Sequence, residues 1–256
     1  MSFTDKVVLI TGASSGIGAA CAVRFAKSSA LLSLIGRNVD NLRDIARQCE
    51  ECSGLKPIII TADITSDEDV ERLVNQTMNH YGRVDVLINN AGTSSIAESH
   101  AKITAYDNVM STNVRGTYLL TNEAIPHLIK SSGNIVNISS ILSTKPLPIL
   151  TAYCMSKAAI DMFTKCAALE LGAHGVRVNA VNPGPVKTQL FRRSGMSDID
   201  TDRMFTSIEL NSPLRKVTKS EDVAELVLFL ASDKANCITG SCYVIDCGVN
   251  LGDSST

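Results

Sequence analysis

The residues whose types and spacing carry the clearest chemistry are Tyr153 and Lys157, four apart, with Ser140 thirteen residues before the tyrosine. On a helix, side chains at that separation share one face about 6 Å apart. An ammonium so placed favours the ionised phenol, which predicts a tyrosine of lowered pKa able to exchange a proton near neutral pH. A tuned phenol beside a hydroxyl suits protonation and deprotonation of the oxygen of a carbonyl/alcohol pair. Spacing alone favours a packed tyrosine and a solvated lysine, so the weight rests on the elements that position them.

Those elements alternate between apolar runs and segments of helical period, which predicts an α/β protein with a parallel sheet covered on both faces. The first run, Val7 to Ile10, meets Thr11-Gly12-Ala13-Ser14-Ser15-Gly16-Ile17-Gly18 and then a helix-compatible stretch from Ala19 to Ala30. A strand, a glycine-rich turn and a helix N-terminus form a phosphate cradle, because glycine lets the backbone approach and free N–H groups face the anion. The spacing is Gly-x-x-x-Gly-x-Gly, unlike the Gly-x-Gly-x-x-Gly of longer dinucleotide-binding proteins. A second strand, Leu31 to Ile35, ends at Gly36-Arg37-Asn38. An acid there would bind the ribose 2′-hydroxyl of NAD, whereas Arg37 can bind a 2′-phosphate, so the expectation is NADP(H) over NAD(H). The alternative is a surface cation paired with Asp40 or Asp44.

A third strand, Pro57 to Thr61, runs into Ala62-Asp63-Ile64, and Ser66 is the expected cap of a helix with Val70, Leu73, Val74 and Met78 inward. Asp63 could take the adenine amino group or hold its own turn. The fourth strand, Val84 to Ile88, leads into Asn89-Asn90-Ala91-Gly92, small enough to admit a cofactor ribose. Asn113 lies inside a helical region from Tyr106 to Leu128, where asparagine predicts local distortion and water binding, or a buried structural amide. The fifth strand, Gly133 to Ile138, delivers Ser139 and Ser140. The Tyr153 helix runs to about Leu171, and a sixth strand, Val176 to Val181, ends at Asn182-Pro183-Gly184-Pro185-Val186. Residues 187–219 break the rhythm with scattered apolar side chains, as a lid or binding loop does, or a segment with its own small core. A helix from Asp222 to Ala231 and a strand from Tyr243 to Asp246 follow. With no repeat or linker, one domain over residues 1–256 is expected.

The chain has 256 residues, 45% hydrophobic and 20% charged, with formal net charge −2. That balance disfavours nucleic acid and anionic membranes as partners. No apolar run reaches the roughly 20 residues of a membrane span. Residues 1–6 lead directly into the first strand, leaving no room for a signal or transit peptide, and Gly252 to Thr256 carry no sorting address, so a cytoplasmic location is expected. The eight cysteines fit reduced, structural thiols, and no metal site is expected. Cys49-Glu50-Glu51-Cys52 has redox-pair spacing, but its glutamates would raise the thiol pKa values.

With these motifs in this order, the sequence from about residue 5 to residue 250 resembles the short-chain dehydrogenase/reductase family in its single-domain branch. Thr11 to Gly18 resembles the family's cofactor motif, and Asn89 to Gly92 its Asn-Asn-Ala-Gly signature. Ser140, Tyr153 and Lys157 match its catalytic triad, Asn113 its fourth catalytic member, and Pro183-Gly184-x-Val186-x-Thr188 the loop at the nicotinamide end. The resemblance implies a Rossmann-like, doubly wound seven-stranded sheet, nicotinamide-dependent carbonyl/alcohol chemistry, and a homotetramer or dimer. Its cofactor would be held by Gly12, Ser14, Ser15, Gly16, Ile17, Gly18, Arg37, Asn38, Asp63, Ile64, Asn90, Ala91, Gly92, Pro183, Gly184, Val186 and Thr188, with Tyr153 and Lys157. In the implied mechanism Tyr153 is the acid/base, Lys157 binds the nicotinamide ribose and lowers the phenol pKa, Ser140 bonds the substrate oxygen, and Asn113 holds a water linked to Lys157. Ser29 stands where a glycine is frequent, and Cys247 where the family often has a second glycine beside Gly248. The expected substrate is a hydrophobic ketone or aldehyde. Alternatives are an oxoacyl group on an acidic carrier drawn by Arg192 and Arg193, an NAD-linked alcohol or steroid, or a non-catalytic NADP(H)-sensing role.

Overall fold

The computed structural model describes residues 1–96 and 103–252, so the C-terminal residues, where no sorting address is expected, lie partly outside the described part. Seven strands form one parallel sheet: β1 (Val7–Thr11), β2 (Leu31–Gly36), β3 (Ile58–Thr61), β4 (Val86–Asn89), β5 (Asn134–Ile138), β6 (Arg177–Pro183) and β7 (Cys242–Ile245), in the spatial order β3-β2-β1-β4-β5-β6-β7. The central strands are apolar runs because both faces are covered. Strand alternation divides them: Val8 and Ile10 join one core, with Phe25 of α1 (Gly16–Ala26), Leu42 of α2 (Val39–Ser53) and Val227 of α9 (Ser220–Ala231). Leu9 joins the other, with Leu73 of α3 (Asp67–Tyr81), Leu120 of α5 (Thr117–Ser131) and Leu171 of α6 (Thr151–Leu171).

Several boundaries differ from expectation. Helix α1 starts at Gly16, not Ala19: Gly16 sits at φ +55°, a left-handed conformation suited to glycine, and turns the chain into the helix. The region around Asn113 is α4 (Ile103–Met110), a π-turn over Ser111–Gly116, and α5. Here Gly116 allows close packing, since a Cβ on it would lie 2.8 Å from the Ile64 carbonyl oxygen. Residues 187–219 hold α7 (Leu190–Arg193) and α8 (Asp198–Asn211), the latter capped by Ser197 accepting from the Asp200 N–H. Phe191 meets Phe205 edge-on at 5.3 Å between ring centres, so the segment does have a small core of its own.

Ser29 and Cys247, the two departures from the family's glycine pattern, adopt φ +64° and +56°, which explains why glycine suits those turns. All eight cysteines are free. Cys49 is buried and Cys52 exposed, so the pair does not face one environment. The Cys49 thiol is pushed up to about 12, first by burial and then by Cys52, not by the glutamates expected from sequence. Among the described residues no helix is long and apolar enough to cross a membrane, and no His/Cys/Asp/Glu group is arranged to hold a metal.

Candidate active site

Strand order places β1 between β2 and β4, so chain direction across the sheet reverses there and a crevice opens beyond the two C-terminal ends. The Thr11 hydroxyl donates to the Ile88 carbonyl (3.3 Å) and accepts from the Asn90 and Ala91 N–H groups (3.0 and 3.1 Å). The Asn90 amide nitrogen donates to the Thr11 and Gly12 carbonyls at 2.9 and 3.2 Å. Gly18 is packed against this arrangement: a Cβ on it would lie 2.3 Å from the Gly12 oxygen and 2.5 Å from the Asn90 nitrogen.

The beginning of α1 is open to an anion. Its N-cap, Ser15, makes no side-chain cap bond, and its first turn has no acid. By contrast α2 and α3 are capped by Asn38 and Ser66 and carry acids in their first turns. Uncapped N–H groups at the positive end of a helix dipole, beside a turn of small residues, fit the diphosphate of a nicotinamide dinucleotide.

Strand β5 brings Ser140 to the same crevice as Tyr153, where its hydroxyl accepts from the Leu142 N–H at 3.1 Å. Tyr153 and Lys157 project from one face of α6, both buried. Lys157 Nζ lies 5.5 Å from the Tyr153 ring centre and donates to the Ile138 carbonyl at 2.8 Å. Asn113, buried in the π-turn, accepts from the Thr93 N–H (2.8 Å) and donates to the Thr93 carbonyl and the Ser156 hydroxyl (2.9 and 3.0 Å). Its two amide N–H donors are thus both engaged by protein partners, while its oxygen accepts a single bond. A further support had no signal in the sequence. The Asn182 amide nitrogen reaches the Ser140 carbonyl (3.1 Å), the Ser143 hydroxyl (3.0 Å) and both oxygens of buried Asp161 (3.1 and 2.9 Å).

The electrostatics overturn one expectation. Burial pushes the Tyr153 phenol up to about 12; the neighbouring Ser140 hydroxyl opposes this and Cys154 adds to it. Burial also pulls the Lys157 ammonium down to about 8, against the upward pull of Asp161. The lysine therefore does not lower the phenol pKa here. Both groups lose more by leaving water than they gain at their separation, and the phenol is held as an acid at neutral pH.

These groups share a cavity of about 310 Å³. It gathers Gly12, Ser14, Ser15, Gly16, Ile17, Asn90, Ala91, Gly92, Ser140, Tyr153, Lys157, Pro183, Gly184, Val186 and Thr188, as expected from sequence. Gly18, Asn113 and Ile64 lie outside its lining, packed behind it, and Arg37, Asn38 and Asp63 lie beyond it at the ends of β2 and β3. Arg37 is 73% exposed and pairs with Asp63 at 3.5 Å. Asp40 and Asp44 are instead taken by Arg43 and Arg47. Asp63 also holds its own turn, accepting from the Thr65 N–H and hydroxyl at 3.0 and 2.8 Å. Partial burial would raise its carboxyl pKa, but the Thr65 bonds and the Arg37 charge hold it below the ordinary range. Sequence reasoning missed Ser94, Ile96, Leu142, Leu147 and Leu150 on the cavity wall; lying in irregular segments, they show no period. Among the described lining residues, Lys157 and Arg193 are cations and there is no carboxylate.

Comparison with known proteins agrees with this geometry. Residues 12–250 match a family model described as enoyl-(acyl carrier protein) reductase. Glucose 1-dehydrogenase of Gluconobacter oxydans is 35% identical over 252 residues, covering 97% of this chain and 93% of that protein. Among solved structures, a short-chain dehydrogenase/reductase of unknown function from Caenorhabditis elegans, determined with cofactor, superposes with a TM-score of 0.94 at 30% identity, covering 99% and 98% of the two chains. L-Sorbose reductase from Gluconobacter frateurii, complexed with NADPH and L-sorbose, does so at 0.90 and 30% identity, covering 98% and 99%.

Proposed function

The chain belongs to the short-chain dehydrogenase/reductase family of nicotinamide-dependent oxidoreductases, and from that premise we propose that it interconverts a hydrophobic ketone or aldehyde and its alcohol with NADP(H). The observation that carries the reading is the convergence of Ser140, Tyr153 and Lys157 on one cavity with the uncapped glycine turn. The cofactor supplies or accepts the hydride at the carbonyl carbon. Ser140 and Tyr153 hold the substrate oxygen between two hydroxyls, and the phenol gives its proton to the developing alkoxide. With a pKa near 12, Tyr153 arrives protonated, which suits the reductive direction at neutral pH. Lys157 holds the ribose hydroxyls and returns a proton to the tyrosine.

Arg37 supports NADP(H), since an exposed ion pair with Asp63 contributes little and a 2′-phosphate can replace it with stronger charge-assisted bonds. The wall beyond Tyr153 includes Ile96, Leu142, Leu147, Leu150, Met196 and Met204. An aliphatic wall favours a carbonyl compound less polar than the sugars named for the Gluconobacter proteins. The chain acts as one domain, with residues 187–219 as its lid, in the cytoplasm and as a homo-oligomer. A second reading, reduction of an acyl group on a carrier, draws on the description of the matching family model. Against it, Arg192 is neutralised by Asp198 at 2.6 Å, so Arg192 and Arg193 do not form a joint basic patch.

The test is a carbonyl panel, including an acyl-carrier thioester, incubated with NADPH while its absorbance is followed. Turnover of apolar ketones, with at least about a 100-fold loss in Tyr153→Phe at retained fold, is expected. Near-normal turnover in that variant removes the mechanism, and NADPH binding without turnover of any carbonyl favours a sensing role.

A further inference from the structure

Arg193 differs from three nearby cations of its segment. Lys187 is paired with Asp202 at 2.8 Å, Arg192 with Asp198 at 2.6 Å, and Arg203 with Asp200 at 3.9 Å. Arg193 has no carboxylate partner among the described residues. Its guanidinium instead crosses the crevice to lie 3.5 Å from the hydroxyl of Ser15, the N-cap of α1. The same segment touches the glycine turn a second time, since a Cβ on Gly16 would come within 2.9 Å of the Thr188 methyl. A backbone bond from the Ile96 N–H to the Ser194 carbonyl, 3.2 Å, ties its far side to the loop after β4. A guanidinium facing the positive end of a helix with uncapped N–H groups and no acid in its first turn is an unfavourable pairing of like charge. An anion between the two relieves it.

Resting on the dinucleotide reading of this crevice, we infer that Arg193 is a strap across the cofactor: its guanidinium binds the diphosphate from the side opposite the α1 turn and so couples dinucleotide binding to closure of the 187–219 segment. Phe191, Met196 and Met204 of that segment also line the cavity. Cofactor binding therefore completes the wall against which substrate packs. The specificity is for the diphosphate, which NADPH and NADH share, in contrast to Arg37 at the 2′ position.

Fluorescence or calorimetric titration of NADPH, NADH and adenosine 2′-phosphate into wild-type, Arg193→Ala, Arg193→Lys and Arg192→Ala proteins tests this directly. Removing a charge-assisted bond to a bound diphosphate predicts about a tenfold to hundredfold weaker affinity in Arg193→Ala for both dinucleotides alike. Arg193→Lys falls between, and Arg192→Ala matches wild type. Adenosine 2′-phosphate, which lacks the diphosphate, binds Arg193→Ala as it binds wild type. Unchanged dinucleotide affinity in Arg193→Ala overturns the inference, as does an equal loss for adenosine 2′-phosphate. Wild-type protein that binds neither dinucleotide refutes the reading of the crevice itself, and the strap with it.

Discussion

Replacing Lys157 with methionine should make the protein more stable at neutral pH while abolishing its activity. Burial lowers the folded-state pKa of this lysine from 10.5 to about 8. That difference corresponds to about 3 kcal/mol of unfavourable free energy carried by the native state wherever the group is charged in both states, that is below about pH 8. Between about pH 8 and 10.5 the unfolded chain binds this proton more tightly than the native one, so wild-type stability rises with pH across that window. Methionine has similar length and no charge, which removes the cost, but it forfeits the 2.8 Å bond to the Ile138 carbonyl, worth about 1 kcal/mol. The variant is therefore expected to be about 2 kcal/mol more stable at pH 7, or about 4 to 8 °C in melting temperature for a chain of this size. Its advantage should vanish on approaching pH 10.5 and then reverse by about 1 kcal/mol. Tyr153, with a folded pKa near 12, lowers stability above pH 10 in both proteins, so the comparison between them is insensitive to it. Urea or thermal melts of both proteins in matched buffers at pH 7, 9 and 10.5 provide the measurement. A stability gap that stays constant across the three, or a methionine variant weaker than wild type at pH 7, would refute the desolvation argument.

Two glycine-to-alanine substitutions should have opposite signs. Gly18→Ala drives a methyl into the Gly12 oxygen and the Asn90 amide, costing about 1 to 3 kcal/mol and weakening cofactor binding. Gly172→Ala, at helical φ −59° with no neighbour within 4 Å, should gain about 0.5 to 1 kcal/mol in urea melts. Arg37→Ala should weaken NADPH far more than NADH by titration, and equal losses would make Arg37 structural. Cys247→Gly relieves a left-handed backbone at the expense of a 3.6 Å approach to Thr218, so the melting temperature should rise by about 1 to 3 °C, and a fall would show that the Thr218 interaction outweighs the strain.

Features set by local chemistry were legible in the sequence. The apolar run of β1 needed only its composition, and Ser66 capped α3 as a serine before an acidic first turn should. Tyr153 and Lys157 met because a helix makes residues four apart neighbours. Asn113 announced a distortion, although not that it would be a π-turn fixed by Thr93 and Ser156. Helix α8 escaped notice because only Thr201 and Phe205 are buried on it and its start depends on Ser197. What could not be read were quantities decided by distant partners. The depth of burial that reverses the expected phenol pKa belongs to the whole crevice. The pairing of Arg37 with Asp63 joins two strand ends, and the approach of Arg193 to Ser15 spans residues remote in the chain.

The bonds among Thr11, Gly12, Asn90 and Ala91 act as a stitch across the seam where the two halves of the sheet diverge. A sheet sewn there does not part to admit a guest, so the floor of the crevice is the same before and after a ligand enters. On the proposed reading of residues 187–219 as a lid, traffic in and out is left to that roof.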